Sequence, residues 1–383
     1  MSSIIYLLAL AIFSMTTSEF MVAGMMNELS NEFQVSVSSI GYLITAYAGA
    51  MVIGGPVVTA AIRQIRRKQA LLALIAAFFI GQSLGSVAWD YNAMMVARII
   101  TGIASSAAFG VAITISADLV RPDSRGKAAS IVLAGLMIAT VLGLPVTTMI
   151  SQHYGWRISF WFVAILVSLS GIMIQWLLPS THATKQMDLR GELASFKNIH
   201  LWAAYVTSML IIGGTFAAFS YFTPILTNVT GVSNESIPFV LGLYGSATVI
   251  GNIIIGRFAD RFTMRILASG LMILLVALVL FASGADHSPI ALISILLIGM
   301  TGVALNPAMV ARVMKIAGSG ALINTVHTSF ITLGVVIGSS LGGMGIGAGY
   351  GLISPLWIGA CLSALGLVSL LPYFTAMKRQ LRQ

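Results

Sequence analysis

PSTHATKQMDLRGELASFKN, residues 179–198, is the longest charged, weakly hydrophobic connection in this chain of 383 residues. Short polar or glycine-containing breaks divide what lies on either side of it into six apolar segments. Before it come residues 4–26, 38–62, 69–88, 93–118, 128–151 and 158–178; after it come 200–226, 238–256, 266–284, 289–311, 320–344 and 352–374. Segments near twenty residues match an α-helix crossing a bilayer, whereas a spanning strand needs only about ten. The reading is an all-α membrane protein with twelve transmembrane helices. Its expected domains are 1–178, a linker at 179–198, and 199–383.

Composition supports a lipid surround. The chain is 58% hydrophobic and only 8% charged, with mean hydropathy +0.97, while a soluble domain carries about 25% charged residues to hydrate its surface. The N-terminus MSSIIYLLALAIF has no basic leader region and no small-x-small cleavage site, so it reads as an uncleaved first span. The single cysteine, Cys361, excludes an internal disulfide and reads as a small apolar packing residue.

The net charge of +9 is a matter of placement. Alternate loops hold Arg63, Arg66, Arg67 and Lys68; Arg121, Arg125 and Lys127; Lys185, Arg190 and Lys197; Arg257, Arg261 and Arg265; Arg312 and Lys315; and Lys378, Arg379 and Arg382. That places eighteen of the twenty basic residues on one face; Arg157 lies opposite and Arg98 inside a span. The positive-inside rule puts this face, and both termini, in the cytoplasm. Membrane lipids rather than nucleic acid are the expected partner of these charges. The six tryptophans fall at or near span ends, as an interfacial belt would place them.

One acid stands apart. Glu19, in MTTSEFMVAG (15–24), is the only one of eleven acids well inside a span. An ionised carboxylate there costs about 2.5–3.5 kcal/mol on insertion scales. Arg98 is the one basic residue placed within a span, and both lie roughly 8–11 Å below the outer boundary at 1.5 Å per residue. Opposite charges at matching depth can neutralise each other. The residues alone leave two readings open: a buried pair that fixes packing, or a carboxylate that alternates between protonated and substrate-bound forms. Arg98 either tunes Glu19 or bridges to backbone carbonyls.

Polar and adaptable side chains within spans are candidates for a substrate cavity: Met15, Met21, Tyr42, Tyr47, Phe219, Tyr221, Tyr244, Asn252, Asn306 and His327. Ordinary packing is the competing reading for the methionines, a hydrogen-bonded structural role for His327, and a packed kink for the aromatics around Pro224. No phosphate loop, metal cluster or nucleophile constellation is present in the sequence, so neither an enzyme nor a cofactor is expected.

Motifs then narrow the class. Gly256, Asp260, Arg261 and Arg265 in GRFADRFTMR (256–265) resemble the loop signature G-x-x-x-D-R-x-x-x-R of the major facilitator superfamily. The equivalent loop TAAIRQIRRK (59–68) carries Arg63 and Arg67 but has Thr59 for the glycine and Arg63 where the acid belongs. TSEFMVAGMM (17–26), ARIITGIASSAAFG (97–110) and GLMIATVLGLPVTTMISQHYGWR (135–157) resemble the first-, fourth- and fifth-span motifs of twelve-span drug:proton antiporters. The fifth-span variant is that of sugar, arabinose-type and chloramphenicol efflux proteins. FAAFSYFTPIL (216–226), GNIIIGRFADR (251–261) and LGVVIGSSLGG (333–343) look like the same branch. Asn27 replaces a proline usual after the first span, and the fifth-span motif keeps Gly143 and Pro145 without a second glycine pair.

The resemblance covers nearly the whole chain. It implies two six-helix bundles related by a pseudo-two-fold axis, a monomer, and a bacterial-type cytoplasmic (inner) membrane. It assigns proton coupling to Glu19 and Arg98, and a cytoplasmic gate to Arg63, Arg67, Gly256, Asp260, Arg261 and Arg265. Gly135, Gly143 and Pro145 mark the antiporter-motif helix. The function implied is export of small neutral or amphipathic molecules such as drugs by alternating access, driven by a proton gradient and without a cofactor. The alternative within transport is sugar or nucleoside efflux. From other classes, a proton-pumping subunit would need intramembrane lysines, and a receptor would need a soluble signalling domain; the sequence supplies neither.

Overall fold

A computed structural model describes residues 3–121, 124–179, 195–318 and 321–380. Among them, eleven helical stretches are long and apolar enough to cross a membrane. One of these, Asn234–Ser283, has 50 residues. At 1.5 Å per residue it is about two and a half times as long as a hydrocarbon core is thick. Non-helical angles at Phe262 (φ −123°, ψ 28°) break it within GRFADRFTMR, so it supplies two spans and the described residues hold twelve.

The chain divides into two compact units, Met1–Lys185 with Ser233–Gly245, and Gln186–Val232 with Ser246–Gln383. The first holds α1 (Ser3–Gly24), α2 (Met26–Phe33), α3 (Val37–Ala61), α4 (Arg67–Ser86), α5 (Tyr91–Asp118), α6 (Arg125–Ile138), α7 (Leu144–Tyr154) and α8 (Trp156–Leu177). Side chains set several starts: Ser36 accepts from the Ser39 amide at 3.1 Å, and Asp90 from the Ala93 amide at 2.7 Å, each taking up an otherwise unpaired donor. Between α6 and α7 the chain widens into a π turn, Ala139–Gly143, just ahead of Pro145, which has no amide hydrogen to donate into the helical ladder.

The second unit holds α9 (Ile199–Phe219), α10 (Phe222–Asn228), most of α11 (Ile237–Ser283), α12 (Ser288–Thr301), α13 (Asn306–Ala317), α14 (Ala321–Gly345) and α15 (Ser354–Gln380). The first and seventh spans are the innermost: 72% of the α1 window and 89% of the Ile199–Asn228 window are buried. That burial lets α1 carry polar side chains, since the groups they face are protein rather than lipid.

The tenth span differs from its expected limits. It runs Ser288–Ala317 through a short 3-10 turn, Val303–Leu305, so Arg312 lies inside it and is only 4% exposed. Arg98 is therefore not alone among span arginines. The expected linker is largely outside the described residues. A kink around Pro224 is present as the break between α9 and α10, and Phe219, Tyr221 and Phe222 there are packed in the core.

Candidate functional site

The polar centre of the first unit is built on α1. Ser14, Thr16, Thr17 and Ser18 are all buried there, immediately before Glu19. Arg98 of α5 reaches this turn with no solvent exposure. Its Nη1 donates to the Ser18 carbonyl at 2.7 Å and to Ser18 Oγ at 3.3 Å, and its Nη2 donates to the Glu19 carbonyl at 3.1 Å. Nε lies 3.5 Å from the Leu43 carbonyl, and the guanidinium sits 4.2 Å from the centre of the Tyr47 ring. A buried cation is tolerated only when its donors are met, and here carbonyl dipoles and an aromatic face meet them.

Arg98 and Glu19 are thus neighbours without being an ion pair. The Glu19 side chain is half-buried, and among the described residues its carboxylate makes no hydrogen bond or salt bridge. Arg98 is bridged to backbone carbonyls and makes no direct ion pair with Glu19 among the described residues, yet the two charges still act on each other. The physical consequence is a carboxylate held near a fixed positive charge without a hydrogen bond among the described residues.

Tyr47, fully buried, donates to the Met15 carbonyl at 3.1 Å, tying α3 to α1. Gln82 of α4, also fully buried, accepts from the Ser18 hydroxyl at 2.7 Å. Its amide nitrogen lies 3.6 Å from Met21 Sδ and 3.4 Å from the Phe160 carbonyl. Gln82 was not among the sequence candidates, although an amide inside an apolar span is a visible signal. Met15 and Met21 are packed core side chains, while Tyr42 is half-buried.

The remaining cavity candidates are spread more widely. Tyr244 is buried on the part of α11 that belongs to the first unit. In the second unit, the Tyr221 hydroxyl donates to the Ser339 carbonyl at 2.8 Å, and Phe219 packs edge-on to Phe216 and Phe222. His327 is 2% exposed, with Nε2 2.9 Å from Ser208 Oγ and its ring stacked on Tyr205. Asn252 is half-buried; so is Asn306, whose Oδ1 is enclosed without a hydrogen-bond donor. An apolar pocket of about 420 Å³ beside the Phe262 kink is lined by none of these candidates.

At the loops of the proposed gate, Arg67 makes an ion pair with Asp118 at the end of α5. The acid missing from position 63 is thus supplied from another helix. The Arg63 side chain lies outside the described residues. In the second unit, Lys315 of α13 donates to the Asp260 carbonyl and, at 2.8 Å, to Thr263 Oγ1. Arg261 and Arg265 flank the Phe262 ring, and the exposed Asp260 carboxylate has no ion-pair partner among the described residues. A Cβ on Gly256 would meet Pro307 at an ordinary 3.8 Å.

The fifth span approaches α1 far more closely. A Cβ on Gly135 would overlap the Ala9 carbonyl oxygen, and one on Gly143 would overlap Thr17 Oγ1. Pro145 packs beside Gly242. These glycines hold α6 and the π turn against the helix that carries Glu19.

Comparison with known proteins places this geometry in a family. The sequence model of the Major Facilitator Superfamily matches residues 8–326. A chloramphenicol resistance protein of Streptomyces lividans is 31% identical over 379 residues, 97% of this chain and 96% of that protein. The inner membrane transport protein YdhP of Escherichia coli K12 is 31% identical over 376 residues, again 97% and 96%. Among solved structures, a bacterial homologue of the human lysosomal transporter Spinster, inward-facing and unoccupied, has TM-score 0.74 at 16% identity, covering 97% of this chain and 94% of that one.

Proposed function

The chain belongs to the Major Facilitator Superfamily, and from that premise we propose that it exports small neutral or amphipathic molecules across a bacterial-type cytoplasmic membrane in exchange for protons. One observation carries this reading: Glu19 is an intramembrane carboxylate with no ion-pair partner among the described residues, while the arginine beside it is held by backbone carbonyls. Such a group can gain or lose a proton without dismantling the packing around it. The name of the Streptomyces lividans relative supports a neutral drug as one class of cargo.

In the proposed cycle, Glu19 takes a proton from the outer side as substrate leaves, and releases it inward before the next substrate loads. Arg98 keeps a fixed positive charge beside the emptied site. Gln82, Ser18 and Tyr47 hold that charge in place. The Arg67–Asp118 pair closes the basic-loop end, which the distribution of Lys and Arg assigns to the cytoplasm together with both termini. The transporter works as a monomer in this scheme.

The test is proton release from purified, weakly buffered protein on adding ligand. The panel holds chloramphenicol-like neutrals, lipophilic cations, pentoses and nucleosides. Release by a drug-like member, lost in Glu19→Gln, is the expected outcome. Release by pentoses or nucleosides alone would replace drug export with sugar or nucleoside efflux. Binding without release, unchanged in Glu19→Gln, would overturn proton coupling.

A further inference from the structure

Arg312 is the second buried arginine, and unlike Arg98 it is only partly satisfied. Nη1 donates to Thr207 Oγ1 at 2.9 Å, and the guanidinium lies 4.5 Å from the centre of the Tyr373 ring. The Tyr373 hydroxyl is a further neighbour of the guanidinium. Nε and Nη2 are enclosed and have no hydrogen-bond acceptor among the described residues. Arg312 joins no ion pair among the described residues. Thr207 cannot turn to serve it further, because its hydroxyl already spans the Ala203 carbonyl at 2.8 Å and Ser369 Oγ at 2.7 Å.

The two free nitrogens form one edge of the guanidinium plane. That edge presents two parallel N–H donors, the geometry that accepts two oxygens of a single phosphate or carboxylate. Burying a cation without a counter-charge is unfavourable, so a fork left open among the described residues favours an anionic partner. Its surroundings suit an oxyanion. Exposed His200 has Nδ1 3.1 Å from the Tyr373 hydroxyl. The same end of the unit carries the basic loops that the charge distribution sets against anionic headgroups.

We propose that the Nε–Nη2 fork of Arg312 binds a phosphate-type oxyanion, with Tyr373 beneath it and His200 at its edge. The oxyanion is either the headgroup of an anionic phospholipid or a free phosphate, and one experiment separates them. Full-length protein in a neutral detergent is unfolded thermally with added phosphatidylglycerol, phosphatidylcholine, inorganic phosphate, or chloride at matched ionic strength. Native mass spectrometry counts retained lipid in parallel.

Stabilisation and one retained lipid with phosphatidylglycerol alone would assign the site to a lipid headgroup; stabilisation by inorganic phosphate as well would assign it to the phosphate group itself. In either case Arg312→Gln weakens the effect about tenfold or more. Arg312→Lys, which keeps the charge and loses the fork, serves if the glutamine variant does not fold, and it is expected to weaken binding similarly. No stabilisation beyond chloride, or equal stabilisation in both variants, overturns the proposal.

Discussion

Arg98 binds the backbone of Glu19 and not its side chain: Nη2 donates to the Glu19 carbonyl oxygen at 3.1 Å, while Nη1 holds the carbonyl one residue earlier. The cation is anchored whatever the charge on the carboxylate. Structural and chemical roles are therefore divided between two adjacent groups, and substitution can separate them.

Glu19→Gln removes a carboxylate that makes no hydrogen bond among the described residues, so its stability should stay within about 0.5 kcal/mol of the parent. Arg98→Met removes the charged donors and should cost about 2–4 kcal/mol. Both should lose coupled transport. Thermal unfolding set beside ligand-triggered proton release separates the two, and a strongly destabilised Glu19→Gln would mean that the carboxylate is structural.

Gln82→Leu leaves the buried Ser18 hydroxyl without its acceptor and should cost about 1–3 kcal/mol. Because Ser18 also positions Arg98, transport should fall in the same variant. Efflux assays on the folded variant decide this: parental rates would remove Gln82 from the site.

Gly135→Leu forces a side chain into the Ala9 carbonyl and should destabilise the first unit by about 1–3 kcal/mol or more. Gly256→Ala, in the loop motif, meets Pro307 only at ordinary contact distance and should leave stability nearly unchanged. Unfolding midpoints for the pair test whether close approach resides in the fifth span or at the loop glycine.

Arg67 and Asp118 are partly exposed, at 21% and 24% of their side chains, so breaking the pair should change stability by only about 0–1 kcal/mol. If the pair acts as a latch, Asp118→Asn slows transport more than its stability change accounts for. The exchanged pair Arg67→Asp with Asp118→Arg should recover part of the rate, and no recovery would argue against a pairwise latch.

Glu28, on α2 outside the spans, has its carboxyl pushed above the ordinary value of 4.5 by burial, against a smaller opposing backbone hydrogen bond. Its Oε2 is enclosed without a partner among the described residues. The folded state then holds this proton to higher pH than the unfolded chain does. Its contribution to stability is largest below about pH 4.5 and declines as pH rises through the folded value. Glu28→Gln should flatten that decline and raise the unfolding midpoint at neutral pH; an identical pH profile in the variant would contradict it.

The sequence by itself determined the helical class, the number of spans and the singular position of Glu19. In lipid, every backbone group must be satisfied within its own segment, so apolar runs of span length leave the helix as the available form. A charge within such a run is conspicuous for the same reason. The long α11 divides where GRFADRFTMR interrupts hydrophobicity, as the composition required.

Partners were another matter, because pairing joins residues distant in sequence. Ser18 meets Gln82 across 64 positions and Arg98 across 80. Asp118 answers Arg67 across 51, where local motif spacing sought an acid at position 63. Arg312 read as a loop charge because hydropathy falls off before Ala317, yet packing over the Tyr373 ring and against Thr207 carries the helix on and encloses it. Composition reports what surrounds a segment; only the approach of helices to one another decides which carbonyl, amide or ring a buried side chain finds.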